Sequence, residues 1–238
     1  MNAQCLTILF LFTDRQWLPL TVRLLREWQH YTRTDGCAVL HEWHNASNDA
    51  WGTPHYFGLI RNRLPTVLRA VETLPHDNVS GLLLLDSDVV LRRNVGAWLQ
   101  HTALRSGADL VVQQEWPCPQ AAHCVNGGVW WVRRSAGGAQ VLREAVALME
   151  QLRVPDQDAL QIVAARSARR VHFLSRLHYP NGHVAQFDAQ FSVARAHLVH
   201  ANWLRSYACK CAVLQCVRSG GDARALKWLV AAQNCSVY

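Results

Sequence analysis

Two carboxylates separated by one residue, Asp86 and Asp88, stand at the end of the wholly apolar run Leu82-Leu83-Leu84-Leu85. Acids so placed can share a hard divalent cation and, through it, the phosphates that the cation neutralises. Gly81 precedes the run, and Val89-Val90-Leu91 follows before the polar Arg92-Arg93-Asn94. A short apolar run bounded by turn residues reads as a buried strand of a parallel sheet. In open α/β sheets, ligands bind beyond the carboxyl ends of such strands. The plain alternative is a strand whose acids only cap the next turn, a common place for Asp.

Four further clusters carry related chemistry. Asn126-Gly127-Gly128 interrupts the aromatic and β-branched stretch Val125 to Arg133. Paired Gly in a strand marks close approach of the backbone to a ligand, or else a bulge. Asp156-Gln157-Asp158 follows Pro155 at a helix start, where acids also serve as plain partners of the helix dipole. His200 ends the apolar segment His197-Leu198-Val199-His200 and can deliver an imidazole, although a lone His is commonly structural. Lys210 follows ten residues later in a neutral stretch, where an ordinary surface charge is the alternative.

The elements that must position these groups are legible from patterning. Leu6 to Phe12 reads as a first strand. Gln16 to Tyr31 has the apolar spacing of a helix, with Asp14 available as its cap. Cys37 to Glu42 reads as a second strand. The stretch from Thr53 to Leu74 is helix-like, and Pro65 within it predicts that the helix proper begins there. After the Asp86/Asp88 strand come a short helix from about Asn94 to Leu104 and a strand from Asp109 to Gln113. Ser135 is placed to cap a helix ending at Leu152, and another helix starts at Pro155-Asp156. Arg170 to Leu174 and His197 to His200 read as short strands, with a closing helix from Asp222 to Ala232. The alternation predicts an α/β fold with a mostly parallel central sheet flanked by helices. No repeat or linker divides the chain, so a single domain over residues 1–238 is expected.

Composition narrows the function classes. Half of the 238 residues are apolar and 17% are charged, which suits a packed core and argues against disorder. The net charge is +7, but Lys and Arg are scattered, and most of the ten Trp sit in apolar runs. That distribution does not make a nucleic-acid patch, and no nucleic-acid partner is expected. No stretch has the length of an apolar membrane span. The eight cysteines lack the paired spacing of a structural zinc site and read as buried free thiols. Asn45, Asn78 and Asn234 head glycosylation sequons that matter only in a secreted chain.

Taken in order, the Asp-Ser-Asp strand, the Asn-Gly-Gly strand, the Asp-Gln-Asp helix start, Tyr179-Pro180-Asn181-Gly182-His183 and His200-Ala201-Asn202-Trp203 with Lys210 resemble the nucleotide-diphospho-sugar transferase family. This group contains plant arabinosyl- and xylosyltransferases, and retaining galactosyltransferases of the glycogenin type share its logic. The resemblance covers roughly Arg61 to Trp228. It implies a Rossmann-like GT-A fold, a UDP-sugar donor, a glycan or glycoprotein hydroxyl as acceptor, and Mn²⁺ with Mg²⁺ as substitute. Asp88, Asp86 and His200 would then hold the metal, with Asp86 also reaching the ribose. Lys210 would grip the diphosphate, and Arg61 or Arg63 would assist, a plain exposed helix residue being an equal alternative for either; Arg63 is taken as the donor-binding one. Asn126 and Gly127 would line the donor sugar, and Asp156 would bind its hydroxyls. Gln157 and Asp158 would face the anomeric carbon as the catalytic pair.

Retaining glycosidases place two carboxylates about 5–5.5 Å apart, and no second carboxylate is evident here. The resemblance therefore implies front-side substitution with retention, the leaving diphosphate accepting the acceptor's proton. Two features depart from the family pattern. Ser206 stands where members often have Gly, which could restrict the backbone around the diphosphate. The chain also shows no N-terminal anchor, so it is expected to be soluble and cytoplasmic as given, or lumenal to the Golgi if a fragment. Asp14 could contact the uracil or simply cap the first helix. The acceptor surface is expected around His178 to Gln190 and Trp116. The competing readings are a non-catalytic nucleotide-sugar or glycan binder and a metal-dependent phosphohydrolase.

Overall fold

The computed structural model describes residues 7–13, 17–32, 39–43, 54–74, 79–118, 124–204, 206–232 and 235. Asp14, Cys5, Cys37 and the sequon residues Asn45, Asn78 and Asn234 lie outside the described residues. The strands in chain order are β1 (Thr7–Thr13), β2 (Val39–Trp43), β3 (Gly81–Leu85), β4 (Val89–Leu91), β5 (Leu110–Glu115), β6 (Cys124–Arg133), β7 (Val171–Phe173) and β8 (Leu198–His200). The helices are α1 (Leu18–Tyr31), α2 (Pro54–Thr73), α3 (Val95–Ser106), α4 (Ala136–Leu152), α5 (Asp156–Arg166), α6 (Gly182–Phe187), α7 (Tyr207–Arg218) and α8 (Ala223–Ala232).

Six strands form the main sheet in the order β2-β1-β3-β6-β5-β7, and β4 pairs with β8 in a small second sheet. The pairs β1/β2, β1/β3 and β5/β7 are parallel, while β6 runs against both of its neighbours. The sheet is thus mostly parallel, as expected, with one reversed strand at its centre. That reversal brings Asn126 and the glycine pair, near the start of β6, to the end of the sheet where β3 terminates in Asp86.

The continuous apolar run of β3 follows from burial on both faces. Leu82 and Leu84 join Trp130, Val132, Leu110 and Val112 in a core covered by α2, α4 and α5. Leu83 and Leu85 point the other way, into a core with Val111, Val129, Trp131 and the α1 residues Leu24 and Trp28. Strand alternation assigns successive side chains to opposite layers, so neither position tolerates polarity. Gly81 has no side chain because a Cβ there would fall 2.1 Å from the Trp131 ring. A third core, built from α7, α8, Val90 and Val199, packs the small sheet into the molecule.

Three corrections to the sequence reading have physical causes. First, α2 does not begin at Pro65 but runs through it from Pro54. An interior Pro costs about 3 kcal/mol. Ile60, Leu64, Val67 and Val71 are all buried, and each such side chain contributes about 1.5–3 kcal/mol, so packing wins. Second, α1 has Trp17 at its N-cap with no side-chain cap bond and Pro19 in its first turn. Third, four of the six described cysteines are paired, Cys118 with Cys124 and Cys209 with Cys235, at Cα separations of 5.6 and 5.8 Å. Cys211 and Cys216 are free thiols. Bridging depends on Cα proximity in the folded chain, which spacing in sequence does not encode. The expected side-chain caps of α3 and α4 are present, Asn94 accepting from the Ala97 N–H and Ser135 from that of Gly138. No helix among the described residues is long and apolar enough to cross a membrane.

Peptide mapping without reduction should recover Cys118 joined to Cys124 and Cys209 joined to Cys235, with Cys211 and Cys216 alkylated once the chain is unfolded. Recovery of all four paired residues as alkylated monomers would restore the free-thiol reading.

Candidate active site

Asp86 lies just beyond β3 and Asp88 just before β4, so the Asp-Ser-Asp turn is fixed from both sides. The Asp86 N–H donates to the Gly128 carbonyl at 2.7 Å, and the Asp88 carbonyl accepts from the Ala201 N–H at 2.8 Å. Ser87 is buried and its hydroxyl accepts from Thr21 of α1 at 2.8 Å. At the far end of β4, the Leu91 N–H donates to Glu27, also of α1. In the small sheet Val89 faces His200, which sets the imidazole beside Asp88. The result is a cluster of Asp86, Asp88 and His200 whose ligand atoms lie within 4.8 Å of one another.

The donor set fits a divalent cation of the Mn²⁺ type, which accepts carboxylate and imidazole ligands. His200 Nε2 faces Asp88 at 3.2 Å and Asp86 at 3.6 Å, and it is buried without a hydrogen-bond partner. The other ring nitrogen, Nδ1, sits 3.0 Å from Gln113 Oε1, while Gln113 Nε2 donates to the Tyr179 carbonyl. That second bond orients the Gln113 amide, so its oxygen must accept the Nδ1 proton and Nε2 is directed at the carboxylates. A hydrogen bond at the ring nitrogen away from the metal fixes the tautomer of a metal-ligating His.

Electrostatics at Asp88 are strong. Burial alone would push its carboxyl up, yet Lys210 and then His200 hold it well below the usual carboxylate range. For His200, burial is outweighed by Asp88, which raises the imidazole above its ordinary value. Lys210 Nζ donates to Asp88 Oδ2 and lies 5.0 Å from the Trp17 ring centroid. The lysine stands in the first turn of α7, which Ser206 caps by accepting from the Cys209 N–H. Ser206 has φ −99°, open to any residue, so its departure from Gly imposes no backbone strain and supplies a preferred cap.

A buried guanidinium organises the opposite wall. Arg63 contacts Asp86 at 3.3 Å and Asp156 at 3.2 Å, and it donates to the Gly127 carbonyl. Arg61, the other basic residue considered, is exposed. Asp156 is 2% exposed; burial raises its carboxyl to about 6 despite Arg63. Gln157 accepts from the Gly127 N–H at 2.8 Å, so it reaches the glycine pair. Asp158 is exposed on the same helical turn and makes no hydrogen bond or ion pair among the described residues. Partial shielding from solvent by the surrounding chain shifts its carboxyl upward. The glycine pair is packed against protein groups of the site. A Cβ on Gly128 would fall 2.3 Å from His200 Cε1 and 2.4 Å from Asp86 Oδ2.

Sequence reasoning missed Glu115, at the end of β5. Its carboxylate accepts from the Trp116 N–H, Asn126 Nδ2, Asn181 Nδ2, Asn202 Nδ2 and Trp203 Nε1. Asn126 passes the constraint on, its Oδ1 accepting from the Gly128 N–H at 2.9 Å. Both ends of the Asn126 amide therefore serve the protein. Trp203 adopts φ 71°, a strained conformation for a bulky residue, and its indole bond to Glu115 at 2.7 Å helps to hold it. The available signal was the recurrence of Asn and Trp in the two flanking segments, which needed a shared acceptor.

The fold is similar to that in the crystal structure of a glycosyltransferase involved in the glycosylation of the major capsid of PBCV-1. The TM-score is 0.58, with 16% identity over 88% of this chain and 98% of that one. The architecture is thus that of a GT-A glycosyltransferase. A family model for nucleotide-diphospho-sugar transferases matches residues 21–214, and the chain belongs to that family. No curated protein matches it in sequence.

Two variants probe this geometry. Gly128→Ala should weaken Mn²⁺ binding at least tenfold in an electron-spin-resonance titration, whereas Gly58→Ala, whose Cβ meets nothing within 4 Å, should not. Equal affinities would show that Gly128 is not needed for the close packing of Asp86 and His200. Glu115→Ala leaves the buried Asn126 Nδ2 and the half-buried Trp203 Nε1 without an acceptor, while Asn181 Nδ2 keeps the Trp116 carbonyl. At about 1–3 kcal/mol per orphaned group, its unfolding free energy should fall by about 2 kcal/mol or more, measured by urea denaturation.

Proposed function

We propose that the whole chain acts as one metal-dependent glycosyltransferase domain. It moves a hexosyl or pentosyl group from a UDP-sugar to a hydroxyl of a glycan or glycoprotein, with retention at the anomeric carbon. The observation that carries this reading is the convergence of Asp86, Asp88 and His200 beside Lys210, at the sheet end shared with the β6 glycines.

Asp86, Asp88 and His200 are the residues that would hold a divalent cation, Mn²⁺ by preference. Such an ion, when bound, neutralises the diphosphate as a Lewis acid. Lys210 brings a second positive charge to the leaving group, where charge grows as the bond to the sugar breaks. Arg63 keeps Asp86 and Asp156 in place and restrains the Gly127 carbonyl. Asp156 and Asn126 line the sugar position, with Gly127 permitting close approach. Gln157 presents its amide to the anomeric centre, and an amide suits stabilising positive charge there better than attacking it. Asp158 stands beside it on the solvent side. In this reading the C1–O bond to the diphosphate breaks on the face where the acceptor oxygen bonds to C1. The acceptor proton passes to the departing phosphate oxygen.

Release of nucleotide from a panel of nucleotide sugars, with Mn²⁺ or EDTA, tests the reading. One donor should be turned over only with Mn²⁺, and Asp88→Ala should lower the rate by at least about 10²-fold. Metal-dependent nucleotide binding with neither hydrolysis nor transfer to any acceptor tested would favour a non-catalytic binder. Absence of both binding and turnover would sink the transferase reading.

A further inference from the structure

Asp88 has two carboxylate oxygens, and a basic group of the chain already faces each. His200 Nε2 lies 3.2 Å from Oδ1, and Lys210 Nζ is bonded to Oδ2. A divalent cation held by Asp86, Asp88 and His200 must take an oxygen of Asp88, and so must enter beside a bonded ammonium. Like charges a few ångströms apart in a poorly solvated site repel strongly. Asp88 is 6% exposed, so solvent screens little of that repulsion.

Lys210 has the means to move. Its charge sits on a flexible four-carbon stem, and the side chain is 17% exposed at the rim of the cluster. The Trp17 ring lies 5.0 Å from Nζ, itself packed edge-on against Tyr207, and so contributes to where the ammonium rests. The helix below is fixed by the Ser206 cap and by the Cys209–Cys235 disulfide, so displacement can be confined to the side chain. A nucleoside diphosphate carries more negative charge than one carboxylate and competes for the ammonium on favourable terms.

We propose that Lys210 is a displaceable counter-ion of Asp88. It occupies the carboxylate in the metal-free chain and releases it when a nucleoside diphosphate draws the ammonium away, so that divalent cation and nucleotide bind cooperatively. This rests on the donor reading above. The coupling is reciprocal, each ligand tightening the other by the same factor. The lysine thereby disfavours a site loaded with metal but empty of donor.

The test measures Mn²⁺ affinity of the full chain by electron spin resonance, alone and with UDP, after correcting for Mn²⁺ held by UDP in solution. Lys210→Met should bind Mn²⁺ alone about tenfold more tightly than wild type, within the usual range of coupling factors. The factor by which UDP tightens Mn²⁺ should shrink by a similar amount. Lys210→Arg, which keeps the charge, should stay near wild type in both. A Lys210→Met variant with wild-type circular dichroism and thermal midpoint that binds Mn²⁺ no more tightly overturns the proposal, even if UDP still tightens Mn²⁺. If UDP has no effect on Mn²⁺ binding in any form, the donor reading itself fails and the cooperative role fails with it.

Discussion

The constraint on which the site depends is the burial of charge. Arg63, Asp88, Asp156 and His200 are each 6% exposed or less. An uncompensated ion in such surroundings costs several kcal/mol, so each group must be paired or change its protonation. The chain does both. Asp88 is paired with Lys210 and His200, and Arg63 spans Asp86 and Asp156. Asp156 receives only part of what it needs, and its raised carboxyl records the remainder. The alternation of sign across the cluster is what lets several ionisable groups share a small volume.

That cluster can exist only because the backbone around it is held by elements remote in sequence. The Asp-Ser-Asp turn is tied to α1 through Ser87, to β6 through Gly128, and to the segment after β8 through Ala201. Glu115 binds Asn126, Asn181, Asn202 and Trp203 to one carboxylate, so three chain segments share a common anchor. Gln113, two residues earlier, holds His200 from behind. The end of β5 therefore supports both the candidate metal ligands and the glycine pair.

Much of this was legible in the sequence where the signal is local. The apolar run of β3 announces burial on both faces, and the two cores on either side of it bear that out. Ser135 and Asn94 cap the helices they precede because capping is a matter of neighbouring residues. The failures are tertiary. Pro65 looks like a helix start until the packing of Leu64 and Val67 on the sheet is weighed against one lost hydrogen bond. The pairing of Val89 with His200 spans over a hundred residues, and no periodicity in a three-residue strand reveals it. The cysteine pairs depend on proximity in the same way. Glu115 was passed over because an acid at a strand end has many ordinary uses. Only the folded chain shows its donors assembled.

The glycine pair shows why type and spacing alone understate a site. Gly-Gly in a strand suggested approach to a ligand, yet Gly128 is excluded from having a side chain by Asp86 and His200 themselves. Its neighbour Gly127 is bracketed by Gln157 at its N–H and Arg63 at its carbonyl. The two glycines thus pack against the Asp86/His200 cluster and against Gln157 and Arg63 through one short stretch of backbone. A shift of β6 that relaxed one contact would disturb the other. Coupling of this kind makes the geometry of both contacts a single property of the strand, whose register is held on either side by β3 and β5.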